Sequence, residues 1–232
     1  MNISLQQPIP PQADFEWYQL EQIDIADNHE PLIDTQTLQH VKTRPMYFLQ
    51  GIPDALPTCY VRQSIAHKLE QISHSLPAGL HLVVLDGWRP LTVQQSLREA
   101  FLLDIQQRFP HLNEEEQQHT LNQFVACPSS NPKRPSPHVT GGSVDVSLCD
   151  AAGNLLDMGS DFDAPVDASW TSALESLSAS PAQRHRRLLY HSMISHGFSN
   201  MPSEWWHFDF GNQLWALRTG QEKAVYGLVT LS

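Results

Sequence analysis

Between residues 127 and 142 the chain places prolines at 128, 132, 135 and 137 and closes on Gly141-Gly142. Each proline fixes φ near −65° and withholds an amide, so this stretch can enter neither a helix interior nor a central strand. It predicts a loop of constrained backbone. The next residues alternate, with Val144, Val146 and Leu148 on one side and Ser143, Asp145 and Ser147 on the other. That is the period of a half-buried strand, and it turns Asp145 away from the apolar face.

Other elements assemble around this pair. Leu80 to Asp86 contains four consecutive apolar residues, Leu82 to Leu85, and reads as a strand buried on both faces, ending at Gly87-Trp88-Arg89-Pro90. Val61, Ile65, Leu69 and Ile72 recur at helical spacing until Leu76-Pro77-Ala78-Gly79 stops them. Thr92 and Gln95 have capping-box spacing and open a helix with the stripe Val93, Leu97, Phe101 and Ile105. A third helix is predicted from near Asn113, favoured by three glutamates in its first turn, with Leu121, Phe124 and Val125 buried. After a turn at Gly153-Asn154, the segment Asp157 to Asp163 is too rich in aspartate and glycine for regular structure. Two helical segments follow, the second over Pro181 to His196 with Gly197 as its C-cap, and then a strand over Trp205 to Phe210. The first fifty residues, rich in proline and polar groups, read as loops and minor strands without functional content. The expected architecture is α+β, a small antiparallel sheet flanked by helices, in one domain spanning 1–232.

With 14 basic against 25 acidic side chains the net charge is −11, which repels nucleic acid and anionic lipid. The longest plainly apolar run is four residues, far short of the roughly 20 a membrane-spanning helix needs. The N-terminus lacks the basic-then-apolar layout of a secretory signal, and Cys59, Cys127 and Cys149 form no C-x-x-C pair. These features predict a cytoplasmic protein with small buried cysteines. They leave the oligomeric state open.

Three segments carry potential chemistry: Asp86-Gly87-Trp88-Arg89-Pro90, Ser136-Pro137-His138 with Asp145 seven positions on, and Glu204-Trp205-Trp206-His207. A catalytic zinc takes three His or carboxylate ligands and keeps a fourth position open. His138, Asp145 and His207 would supply that set if adjacent strands bring them together. Among 12 histidines a given one is more often structural or exposed, and H-E-x-x-H is absent. What favours His138 and Asp145 is a rigid setting between prolines and glycines, because a ligand must hold its geometry. Glu204 is the candidate general base. Residues three apart in a strand point to opposite faces, so it is placed ahead of the strand, in the turn of Met201-Pro202-Ser203; a surface carboxylate is the alternative. Arg89 either stabilises an oxyanion or forms a structural pair with Asp86. The neighbouring aromatic residues read as core.

Taken together, these segments resemble the D-alanyl-D-alanine dipeptidases, zinc peptidases that include the vancomycin-resistance dipeptidase. The resemblance rests on D-G-W-R-P, on S-x-H-x-x-G-x-x-x-D, on Met158-Gly159-Ser160-Asp161-Phe162-Asp163 and on E-W-W-H, in that order. It covers residues 86 to 210 well and the N-terminal third weakly. It implies the fold shared with D,D-carboxypeptidases and the Hedgehog signalling domain. It further implies one zinc per chain on His138, Asp145 and His207, Glu204 as base, and Arg89 as transition-state stabiliser. Asp163 would hold the substrate ammonium group, with Asp157 and Asp161 as competitors, and Ser136 would hydrogen-bond substrate. Val139-Thr140 and Ser143 depart from the family's usual wording without touching the ligands. The activity so implied is hydrolysis of D-Ala-D-Ala to two D-alanines, in cell-wall dipeptide turnover or glycopeptide resistance. The alternatives are a carboxypeptidase acting on longer muropeptides and a non-catalytic, zinc-stabilised binding module.

Overall fold

The computed structural model describes residues 7–13, 15–124 and 127–231. After a 3-10 turn at Trp17–Gln22, the N-terminal segment is built of short pieces: β1 (Asp24–Ile25), β2 (Leu32–Asp34), β3 (Val41–Thr43) and α1 (Met46–Leu49). Next come β4 (Tyr60–Arg62), α2 (Gln63–Ser75), β5 (Leu80–Asp86), α3 (Leu91–Arg108) and α4 (Glu114–Phe124). Beyond the proline loop lie β6 (Ser143–Asp150), α5 (Pro181–Ser195), β7 (Ser199–Asn200), β8 (His207–Asp209), α6 (Gln213–Thr219) and β9 (Lys223–Ala224). The architecture is α+β.

Five strands form the main sheet in the order β3-β5-β6-β8-β7. All its pairings are antiparallel except β3 with β5, which run parallel. A parallel pair requires a crossover, and the chain between these two strands supplies one through α2. The face carrying Leu82, Val84, Val144, Val146, Leu148 and Phe208 packs against the apolar stripes of α2 and α5 as the main core.

β6 departs from expectation. Seven of its eight residues are buried, Ser143, Asp145 and Ser147 included. The polar side of this strand is therefore not solvated: Ser143 donates to the buried carboxylate of Asp209, Asp145 pairs with His207 across the ladder, and Ser147 lies opposite Val83. The register of β5 on β6 slips between Val84 and Asp86, so that Asp86 sits opposite Asp145. Such an irregularity re-aims a side chain at the sheet's functional end.

Local differences have identifiable causes. Val61 belongs to β4, and α2 starts two residues later, where the carboxylate of Glu30 accepts hydrogen bonds from the amide and hydroxyl of Ser64. α3 begins at Leu91 behind Pro90 and uses no side-chain cap, so Thr92 serves no capping box. Its fixed proline supplies the entry geometry instead. Leu121 is buried as expected, whereas the side chain of Phe124 and the whole of Val125 lie outside the described residues. The first of the two late helical segments is reduced to 3-10 turns at Asp167–Ser169 and Ala173–Ser176. The C-terminal strand is only His207–Asp209, because the Trp205 amide bonds to Ser169 instead of joining the ladder. Cys59 and Cys149 are buried; Cys127, at the mouth of the proline loop, is exposed. Among the described residues no helix is long and apolar enough to cross a membrane.

Candidate active site

Asp145 and His207 are direct partners across the β6–β8 ladder. Cross-strand partners share a face of the sheet, so both side chains leave it on the same side. His138 arrives from the turn that ends the proline loop, a 3-10 turn at His138–Thr140 closed by Gly141 at φ 68°. The segment after β5 clamps this turn. Gly87 offers its carbonyl to His138 Nδ1 at 2.8 Å, the Trp88 indole donates to the Val139 carbonyl at 3.1 Å, and the Arg89 amide donates to the His138 carbonyl at 3.3 Å. Gly87 is required here: a Cβ would lie 2.3 Å from the carbonyl oxygen of Tyr60, onto which the Trp88 amide also folds.

Each imidazole is oriented by its outer nitrogen. A carbonyl only accepts, so His138 carries its proton on Nδ1 and turns the Nε2 lone pair inward. His207 Nε2 lies 3.1 Å from both oxygens of Asp209, which fixes its proton outward and leaves Nδ1 facing the same point. Asp209 is fully buried and also accepts from Ser143 Oγ at 2.6 Å and Asn212 Nδ2 at 2.7 Å. Burial alone would raise its pKa, but His207 and these hydrogen bonds outweigh it and hold it below the usual range. The carboxylate-histidine pair is the support that metal-binding imidazoles use.

The inward atoms converge. His138 Nε2 and His207 Nδ1 are 3.2 Å apart, and Asp145 Oδ1 lies 3.2 Å from His207 Nδ1 and 3.6 Å from His138 Nε2. A tetrahedral zinc with arms of about 2.0–2.1 Å separates its ligand atoms by about 3.3 Å. Among the described residues the buried Asp145 Oδ1 has no hydrogen-bond partner, an orphan that a cation would satisfy. Burial, with Arg89 and His207 adding to it, lowers the pKa of His138 to about 3, so this ring is neutral and its lone pair free. Burial disfavours charge on Asp145 too, but His207 and the Arg89 guanidinium help to outweigh it, and the net shift is downward. These three residues therefore fit a zinc ion.

Around them lies a cavity lined by Arg89, Asp163, Glu204, Tyr47, Trp206 and Ser136, among others. Glu204 sits in the turn before β8 as expected, its amide bonded to the Met201 carbonyl, and its Oε2 lies 3.8 Å from His207 Nδ1. Burial pushes its carboxyl up to about 8. Arg89 makes the expected pair with Asp86 and also lines the cavity. Its Nε donates to Asp86 at 2.9 Å and its Nη1 to Gln94 at 2.6 Å, while Nη2 reaches toward Asp145 Oδ2 at 3.5 Å on the cavity wall. Asp163 is brought in by the irregular 157–163 segment, with a positive φ of 62°. Its pKa rises to about 6, driven by burial and restrained by Arg89. Ser136 reaches the cavity wall, but its hydroxyl is engaged within the proline loop, accepting from the Ser129 amide and donating to the Cys127 carbonyl.

Four contributors were given no role of their own from the sequence. Asp209 follows His207 by two residues in a strand, a spacing that places both on one face and could have exposed it. Gly87 acts through its carbonyl, which leaves no side-chain signature. Tyr47 and Trp17 come from the N-terminal segment read above as functionally quiet, yet both line the cavity. That reading is corrected: proline-rich composition describes how the segment runs and says nothing of where single aromatic side chains land.

A D-alanyl-D-alanine dipeptidase of Synechocystis sp. (strain ATCC 27184 / PCC 6803 / Kazusa) is 29% identical over 234 residues, covering 89% of this chain and 95% of the relative. One from Escherichia coli (strain K12) is 31% identical over 148 residues, covering 64% of each. A solved vancomycin-resistance D,D-pentapeptidase in complex with Zn(II) aligns over 90% of this chain and 96% of its own, at 13% identity and a TM-score of 0.47. The peptidase family model described as D-ala-D-ala dipeptidase matches residues 52–224, a span that contains His138, Asp145, Glu204 and His207. With three-quarters of its length matched in this way, the chain belongs to the D-ala-D-ala dipeptidase family of peptidases.

Proposed function

We propose that this protein hydrolyses the dipeptide D-Ala-D-Ala to two D-alanines, using one zinc ion per chain held by His138, Asp145 and His207. The observation that carries the proposal is the convergence of Nε2, Nδ1 and Oδ1 at zinc-ligand separations, with Glu204 immediately beside them. When bound, the ion supplies Lewis acidity, polarising the scissile carbonyl and acidifying a water at its open position.

The chain's own residues do the rest. Glu204, beside the three converging atoms, accepts the proton of the attacking water and returns it to the leaving amine. Arg89, anchored by Asp86 and Gln94 on the cavity wall, places its positive charge near the oxyanion that forms as the carbonyl is attacked. Asp163 takes the substrate's ammonium group through a charge-assisted hydrogen bond, and Ser136 lines the path.

The acidic charge of −11 supports a small-molecule substrate in preference to nucleic acid or membrane. The free state of all three cysteines supports a cytoplasmic location, where the enzyme would act in cell-wall dipeptide turnover or glycopeptide resistance. The deciding experiment is a panel of all alanine dipeptide stereoisomers, assayed with and without chelator alongside metal analysis. D-Ala-D-Ala is expected to be cleaved, with about one zinc per chain and loss of activity on chelation. Equal turnover of the N-acetylated dipeptide would favour a carboxypeptidase, and zinc binding without any hydrolysis a binding module.

A further inference from the structure

Arg89 and Asp163 face one cavity with opposite charges. In a poorly solvated pocket a guanidinium and a carboxylate attract strongly. A carboxylate consumed by that pair would be lost to a ligand's ammonium group. Tyr47 stands between them. Its hydroxyl accepts from Arg89 Nη2 at 3.3 Å and donates to Asp163 Oδ2 at 3.3 Å. Its ring lies 4.8 Å from the guanidinium carbon of Arg89 and 5.6 Å from the ring of Phe162, the residue before Asp163. The whole side chain is buried.

Among the described residues this phenol is the hydrogen-bond partner of the Asp163 carboxylate, and it engages one oxygen of the two. The backbone of Asp163 is in the left-handed region, a conformation that persists only where surrounding contacts hold it. Tyr47 lies ahead of the residues matched by the family model, on α1 of the N-terminal segment.

We propose that Tyr47 is a positioning residue that sets selectivity for a free amino terminus, holding Asp163 apart from Arg89 and aiming it at the ammonium group. This inference rests on the D-Ala-D-Ala reading above. Tyr47→Phe tests it, because the ring, its stacking and its volume are kept and only the bridging hydroxyl is removed. KM for D-Ala-D-Ala is expected to rise about tenfold or more, the worth of one hydrogen bond to a charged group, with a much smaller change in kcat. Selectivity for the free over the N-acetylated dipeptide should fall by the same factor. In an Asp163→Asn background Tyr47→Phe should add no further rise, since both changes act through one contact.

A calorimetric measurement of D-Ala-D-Ala binding to zinc-loaded Glu204→Gln protein gives a readout independent of turnover, and Tyr47→Phe should weaken that binding by a similar factor. Unaltered KM and affinity in Tyr47→Phe, or an equal loss in the Asp163→Asn background, would overturn the role of Tyr47 and leave the hydrolytic reading intact. Binding of the dipeptide by the wild-type protein without cleavage would overturn hydrolysis alone. Failure to bind the dipeptide at all would overturn both.

Discussion

Glu204 and His207 are three residues apart yet serve one site, which a regular strand would forbid. The turn that keeps Glu204 out of the ladder resolves the conflict, and its burial raises the carboxyl to about 8. Glu204→Gln keeps the volume and removes the base, so hydrolysis should fall by about 10²- to 10⁴-fold. Zinc content should not change; if turnover matched the wild type, Glu204 would have no part in the chemistry. Asp209 makes a different kind of contribution, since it holds His207 in the tautomer a metal requires. Asp209→Ala should weaken zinc binding by about 10- to 100-fold, read by competition with a chromophoric chelator. An unchanged affinity would mean that the β8 backbone alone orients the ring.

At the scale of elements, what matters is how neighbouring segments complete one another. α2 has no cap of its own, and Glu30 from a distant loop covers its first turn. Burial would raise the pKa of Glu30, but hydrogen bonds from Ser64, Tyr226 and Asn28 outweigh it and the net shift is downward. A carboxylate depressed in the folded state contributes stability above its unfolded pKa and loses it as pH falls through the folded value. Glu30→Gln should therefore lower Tm at neutral pH, with a shallower decline of Tm on acidification below about pH 5. Thermal melts across pH 3–7 check this, and parallel wild-type and variant curves would exclude the ionised cap. The 87–89 segment shows the same dependence in the active site, since its glycine carbonyl, indole and amide all fasten the turn that carries His138.

For the whole molecule, the three candidate metal ligands come from separate places: a loop end, the middle strand of the sheet and a strand near the C-terminus. A cation that binds only when these are assembled stabilises the folded state by mass action, about 2.7 kcal/mol at a hundred times its Kd. Zinc-loaded protein should accordingly melt several degrees above chelator-treated protein in calorimetry. Equal Tm values would mean that the three side chains do not share an ion in solution. The N-terminal segment belongs to this scale as well. Ile9 joins the main core and β1 pairs with β9, so the ends of the chain close on each other and carry Trp17 and Tyr47 to the cavity.

Much of this was legible in the residues taken in order. Proline spacing marked the rigid loop, alternation marked β6, helical stripes located α2 and α3, and the Gly197 cap marked the end of α5, because these signals depend on neighbours within a few positions. His138, Asp145, His207 and Glu204, which the structure brings together, stood in short motifs whose wording survives without coordinates. Only the tertiary structure decided the burial of the polar face of β6, the parallel β3 edge, the shift of α3 onto Pro90, and the placing of Tyr47 between Arg89 and Asp163. Those outcomes depend on which distant segments meet, and contacts made across a hundred residues of chain leave no periodicity in the sequence to read.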